Sequence, residues 1–136
     1  MEYERLNNDW NAEPNTPDPK LSINDNSVTL DFYLNYEKFE RFNEGDKGQL
    51  KFINCHTYSF NSMNDEGYFK GNYRYKDCEL PWGDFYLLKS KISDFPEDNV
   101  TLLTNQEVSN LKHYIFFFRD NTFECYAENF ELYLQV

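Results

Sequence analysis

The side chains in this chain with chemistry to offer are few, and they lie in two stretches. Only two histidines are present, His56 and His113. His113 opens the run HYIFFFRDNTFECYAENFELYLQV, which also carries Arg119, Asp120 and Glu124. A histidine and a carboxylate on neighbouring strands are the parts of a general acid/base pair. The same residues also serve a plainer purpose: Arg119 set against Glu124 or Asp120 is an ordinary cross-strand charge pair. A glutamate placed between Phe123 and Cys125, in the most apolar part of the chain, needs a partner. Arg119 and His113 are the two candidates.

The second stretch is Asn61-Ser62-Met63-Asn64-Asp65-Glu66-Gly67, with two acids, two amides and a hydroxyl in one loop. Hard cations such as calcium take oxygen ligands of this kind. The loop lacks the alternating acidic spacing and distal glutamate of an EF-hand, and a solvated turn closed by its own Asn and Asp side chains accounts for it equally. Two histidines exclude a His-rich zinc site. Cys55, Cys78 and Cys125 show no recognised ligand spacing. Cys55 and His56 are adjacent, so on a strand they point to opposite faces and form no thiolate–imidazole pair. No phosphate-binding or nucleophile-elbow motif is present. The residues therefore imply no metal and no cofactor.

The elements that must carry these groups read as strands. Tyr114, Phe116 and Phe118 share one face of the run from His113 to Arg119. Ile115 and Phe117 lie with His113 on the other, so both faces ask for cover and the strand belongs mid-sheet. Asp120-Asn121 suits a two-residue hairpin turn. Thr122 to Ala127 alternates like a strand with one wet face. The apolar parity then shifts to Phe130, Leu132, Leu134 and Val136, which predicts a bulge or bend near Glu128-Asn129. Upstream, Val28, Leu30, Phe32 and Leu34 alternate with polar neighbours. Leu21 to Ile23 is a partner strand across the turn Asn24-Asp25-Asn26. Extended runs are also expected over Gly48 to Tyr58, Tyr68 to Tyr75 and Asp84 to Ser90, with turns or loops at Ser59 to Gly67, Glu79 to Gly83 and Ser93 to Asn99. Tyr3, Leu6 and Trp10 are spaced for a short docking helix over residues 1–11. Three prolines in residues 12–20 make an extended connector. Tyr36, Phe39 and Phe42 predict a turn or two of helix, and Thr104 with Glu107 a capped helix over Asn105 to Leu111.

Composition sets the frame. The 136 residues fit a single domain. Its fold is expected to be mainly β, an antiparallel sheet, sandwich or partly open barrel of about 7–9 strands with one or two short helices. Aromatics are 19% of the chain, so Phe and Tyr must build much of the core. Twenty-four acidic against thirteen basic side chains leave a net charge of −11. That field repels phosphate backbones and anionic lipid, which argues against nucleic acid and membrane as partners and favours a basic protein. Acidity that simply keeps the protein in solution is the bland alternative. An odd number of cysteines without CxxC, and no signal-peptide pattern at the start, point to reduced thiols and a cytoplasmic protein.

The loop Ser62 to Gly67 and the segment His113-Tyr-Ile-Phe-Phe-Phe-Arg-Asp120, then Thr122-Phe-Glu-Cys125, resemble small bacterial proteins with an S-x-N-D-E loop and a late H-[FY]-[IV]-F-x-F-x-D-x-T-F-E-C hairpin. The likeness covers about a third of the chain. Those relatives have no settled function, and some occur among proteins regarded as immunity or self-protection factors. The resemblance marks Asn64, Asp65, Glu66, His113, Asp120 and Glu124 as positions to watch, and gives them no roles. Two functional expectations follow. One is a non-enzymatic protein-binding module, of which an immunity-type factor is a concrete form. The other is a small-ligand or metal-binding domain, even a hydrolase, with a polar site where the 62–67 loop meets the 113–125 hairpin.

Overall fold

The computed structural model describes residues 2–62, 83–89, 100–103 and 111–135. Among these residues eight strands form one antiparallel sheet: β1 (Glu2–Arg5), β2 (Lys20–Asn24), β3 (Ser27–Tyr33), β4 (Lys47–Asn61), β5 (Phe85–Lys89), β6 (Val100–Leu102), β7 (Lys112–Phe117) and β8 (Thr122–Gln135). Their order is β1-β5-β7-β8-β4-β3-β2, with β6 on β4. β4 pairs with β8 along its whole length. Its other edge takes β3 over Lys47–Phe52 and β6 over Thr57–Ser59. The mainly β antiparallel expectation therefore holds, and the sheet is open.

β3 follows its alternation: Val28, Leu30 and Phe32 are buried, and the residues between them are half-buried. The hairpin to β2 turns through Asp25, whose φ of 55° an Asp side chain tolerates. β7 lies mid-sheet between β5 and β8, as its two apolar faces require.

The sheet is strongly curled. Phe32 on β3 and Phe116 on β7 are three strand spacings apart, roughly 14 Å in a flat sheet. Their ring centroids are 5.3 Å apart. The aromatic core fills the concave side, where Phe116 stacks on Phe118 at 4.3 Å. Trp10 joins it, against Phe32 at 5.6 Å, Phe116 at 5.8 Å and Phe85 at 6.3 Å. Gly48 is needed beneath Phe32, since a Cβ there would lie 2.8 Å from the Phe32 ring.

Trp10 gets there on an extended segment, which corrects the helix expected over residues 1–11. Leu6 N–H donates to the Phe85 carbonyl at 2.9 Å. The Asn7 amide bonds Asp84 and Phe85 N–H at 2.8 and 3.1 Å. Glu13 N–H then donates to the Tyr33 carbonyl, and Tyr33 N–H to that of Pro17, at 2.8 and 2.9 Å. A helix of eleven residues is marginal alone. The exposed edges of β5 and β3 offer backbone partners instead.

The helical turns expected over Tyr36 to Asn43 are also corrected. Phe39 N–H reaches the Asn35 carbonyl and Phe42 N–H that of Phe39, which makes consecutive turns and no helix. The β7–β8 hairpin closes with Phe118 N–H to the Asn121 carbonyl at 2.9 Å, so Arg119 and Asp120 form its tip, one residue earlier than expected.

The parity change expected near Glu128-Asn129 is present: residues 122–127 are all buried, Glu128 and Asn129 are both exposed, and alternation begins only there. The left-handed residue lies across on β4: Asn54 has φ 50°, and the β4–β8 register slips between Cys55 and Thr57. Asn54 Nδ2 donates to Glu128 Oε2 at 2.7 Å, which ties the two strands at the bend. The strand expected over Tyr68 to Tyr75, the loop over Ser93 to Asn99 and the capped helix after Thr104 fall outside the described residues, apart from Leu111.

Candidate functional site

The convex side of the sheet carries the predicted acid/base residues. The register sets Tyr126 opposite His113, and Glu124 opposite both Ile115 and Ser59. His113 and Glu124 are then diagonal neighbours on one face, a separation that long side chains span. His113 Nε2 lies 2.5 Å from Glu124 Oε2. With Glu124 ionised, Nε2 is the donor and the carboxylate the acceptor. The Tyr126 ring stacks on the imidazole at 4.7 Å.

This face is not wet, which corrects the expected exposure of Thr122, Glu124 and Tyr126. His113 is 1% exposed and Glu124 2%. Thr57, Thr122 and Tyr126 on the same face are buried and engaged as well. Ser59 Oγ is buried and has no hydrogen-bond partner among the described residues. The three groups do not make a nucleophile relay. A base must touch the nucleophile that it activates. Here Glu124 stands opposite Ser59, with His113 beyond it.

The two hairpin-tip residues go elsewhere. Arg119 is exposed, and its Nη1 donates to the Asn15 carbonyl at 3.2 Å, so it does not pair with Glu124. Asp120 is exposed beside it. Asn64, Asp65 and Glu66 lie outside the described residues, as does Cys78. No group of three or more His, Cys, Asp or Glu side chains among the described residues is placed to hold a metal. No helix among them is long and apolar enough to cross a membrane.

Arg119 leads to a second place, which the residues by themselves did not suggest. Around the turn at residues 13–17 two grooves of 360 and 510 Å³ adjoin, sharing Asn15, Thr16 and Tyr33. The first is lined by Glu13, Glu37, Glu44 and Tyr36, the second by Asp18 and Asp120. Among the described residues, Lys20 reaches this lining at Asp18, at 3.8 Å, Lys47 at the Tyr33 ring and Arg119 at the Asn15 carbonyl.

Glu13 organises the turn. Thr16 Oγ1 and N–H donate to one carboxylate oxygen, both at 2.5 Å, and Asn15 N–H donates to the other at 3.1 Å. Burial pushes this carboxyl up, but those donors and the Arg119 charge outweigh it and hold Glu13 below its usual range. Opposite, the Glu44 carboxylate above all, then partial burial, Glu37 and Glu13, push the Tyr36 hydroxyl up. The groove is thus electronegative enough to be felt by a tyrosine. Lys47 Nζ already sits 5.0 Å from the Tyr33 ring centre, a cation on its face.

The signal for this groove was present as a Pro-fixed connector, with acids and tyrosines scattered over residues 13–44. Nothing local joins those segments; the curl of the sheet does. Compared with protein-family models, with curated proteins and with solved structures, the chain matches none.

Proposed function

We propose that this protein is a non-enzymatic binding domain whose partner is a protein, and that a basic segment of that partner lies in the groove around Tyr33. The observation that carries the reading is the acidic excess of the lining: five carboxylates and two tyrosines, against Lys20 on Asp18, Lys47 on Tyr33 and Arg119 on Asn15 at its margins. Guanidinium and ammonium groups bind carboxylates through charge-assisted hydrogen bonds and sit over aromatic faces. Tyrosine is enriched at protein interfaces. Pro14, Pro17 and Pro19 stiffen one wall, so little ordering is lost on binding. The net charge of −11 steers a basic partner toward this surface. An inhibitor that covers a basic effector, as an immunity-type factor does, is the concrete form. The buried His113–Glu124 pair supports the non-enzymatic side of the reading, because a general base must reach its substrate.

The test is anisotropy titration of fluorescein-labelled, Arg- and Lys-rich nonapeptides at low and physiological salt. Glu37→Gln with Glu44→Gln should weaken binding about tenfold, roughly 1.4 kcal/mol. Glu128→Gln with Glu131→Gln removes the same charge from the middle of β8, outside the groove lining, and should change it little. Equal weakening by both pairs would leave only general acidity and would defeat the proposal.

A further inference from the structure

The open sheet ends in two edge strands, β1 and β2. β2 is exposed at every residue except Leu21, which is half-buried. Ile23 is 46% exposed, with Tyr3 and Tyr133 the only large apolar side chains so placed among the described residues. Two residues, Asp25 and Asn26, join β2 to β3, so Asn24 and Ser27 form a hydrogen-bonded pair and bonding alternates from there. Lys20, Ser22 and Asn24 spend their backbone groups on β3. Leu21 and Ile23 turn theirs outward, where no described strand receives them.

The same two residues end two apolar rows on the concave face. Leu21, Leu30, Leu50 and Leu132 stand abreast across β2, β3, β4 and β8, and so do Ile23, Val28, Phe52 and Phe130. Val28, Leu30, Leu50 and Phe52 are fully buried, whereas Ile23 is left open at the rim. An edge of this composition fits a second copy of itself. Antiparallel pairing about a two-fold axis at Ser22 sets Leu21 opposite Ile23 of the second copy, and Ile23 opposite its Leu21, both as hydrogen-bonded pairs. Lys20 then stands opposite Asn24 of the second copy, and no two carboxylates of the strand meet. β1 lacks this property: pairing about Tyr3 sets Glu2 against Glu4 of the second copy, and pairing about Glu4 sets that residue against itself. With a net charge of −11 on each copy, the edge without acids is the one at which two copies can approach.

We propose that the β2 edge is a self-association site, at which two copies pair antiparallel through Lys20–Asn24, about Ser22, into one continuous sheet. Each pairing of Leu21 with Ile23 exchanges two backbone hydrogen bonds, and symmetry supplies that pairing twice. The leucine row of each copy runs into the Ile23 row of the other, which covers the exposed Ile23 side chain. The contact is isologous and closes at two copies. Pro19 at one end and the turn at Asp25 at the other confine it to β2, so the interface is small and the dimer forms only as concentration rises. None of Leu21 to Asn24 lines the groove around Tyr33, so pairing is separate from binding there.

The experiment is sedimentation equilibrium at physiological salt on the parent, Ile23→Lys and, as a control at another exposed apolar position, Tyr133→Lys. The parent's mass should rise from 16.4 kDa toward twice that value with concentration. Ile23→Lys should weaken association about a hundredfold, because symmetry sets the new charge against Leu21 twice. Tyr133→Lys should leave it unchanged. In a second arm, mild oxidation of Ser22→Cys should give a disulfide-linked dimer, since opposed residues outside the hydrogen-bonded pairs have Cα atoms about 4.5 Å apart. Asn24→Cys should not, because the two copies of residue 24 lie roughly 13 Å apart along the strands. A parent that stays at 16.4 kDa at every concentration would overturn the proposal. So would equal weakening by the two lysine changes, assemblies larger than a dimer, or a cross-link at residue 24 as ready as that at residue 22. If Ile23→Lys does not fold, the two cysteine variants decide.

Discussion

Replacing His113 with Phe keeps an aromatic ring to stack on Tyr126 and removes the donor that Glu124 holds at 2.5 Å. Both side chains are almost fully buried, so water cannot take over the lost bond. Leaving a buried group without its hydrogen-bond partner costs about 1–3 kcal/mol, and more when the group is charged. His113→Phe should cost that much. Glu124→Gln leaves an amide oxygen that still accepts from Nε2, and should cost about 1–3 kcal/mol. The double variant should cost less than the two together, because both changes act on the one hydrogen bond that the two side chains share. The coupling should exceed about 1 kcal/mol, well outside the roughly 0.3–0.5 kcal/mol within which independent sites add. Urea denaturation of the parent, the two single variants and the double variant at one pH measures all of it. Glu124→Gln should add to Arg119→Gln without coupling, since Arg119 bonds the Asn15 carbonyl instead. Additivity of the His113 and Glu124 changes would refute the assignment of the pair as partners. Coupling of Glu124 to Arg119 would do the same.

Gly48→Ala should destabilise by about 1–3 kcal/mol through overpacking against the Phe32 ring, which is itself held by Trp10 and Phe116. A denaturant midpoint equal to the parent's would mean that the core is looser than these contacts imply. Glu13 sits below its ordinary value of 4.5 in the folded protein. The stability it brings is therefore complete above that value and fades as pH falls through the lower folded one. Glu13→Gln should cost about 1–2 kcal/mol at neutral pH, and the gap from the parent should narrow as pH is lowered from neutral through 4.5 and below. A constant gap across that range would show that the carboxyl titrates alike in both states.

Much of the sheet was legible because a strand with one solvated face writes its period into the residues. Val28, Leu30 and Phe32 announce β3, and the two-faced apolar run from Tyr114 to Phe118 announces a central β7. The parity shift after Ala127 announced the bend, though not that Asn54 on the partner strand would take the left-handed conformation. Tyr3, Leu6 and Trp10 misled because a spacing of three and four over eleven residues is too short to separate a helix from a strand followed by turns. What decided the outcome was the vacant backbone edge of β5, which is not local information.

The sequence by itself determined that this is an acidic, aromatic-cored, antiparallel β protein, and that Glu124 needed a partner. Those properties follow from composition and from period two, which each strand carries alone. Only the tertiary structure chose His113 over Arg119, because the choice depends on which residues stand diagonally across β7 and β8. It alone buried the face that alternation marked as wet. It alone joined residues 13–19, 33–37, 44–45 and 120–121 around one groove. Each of these depends on register and curl, and those are set when the whole sheet closes around its aromatic core.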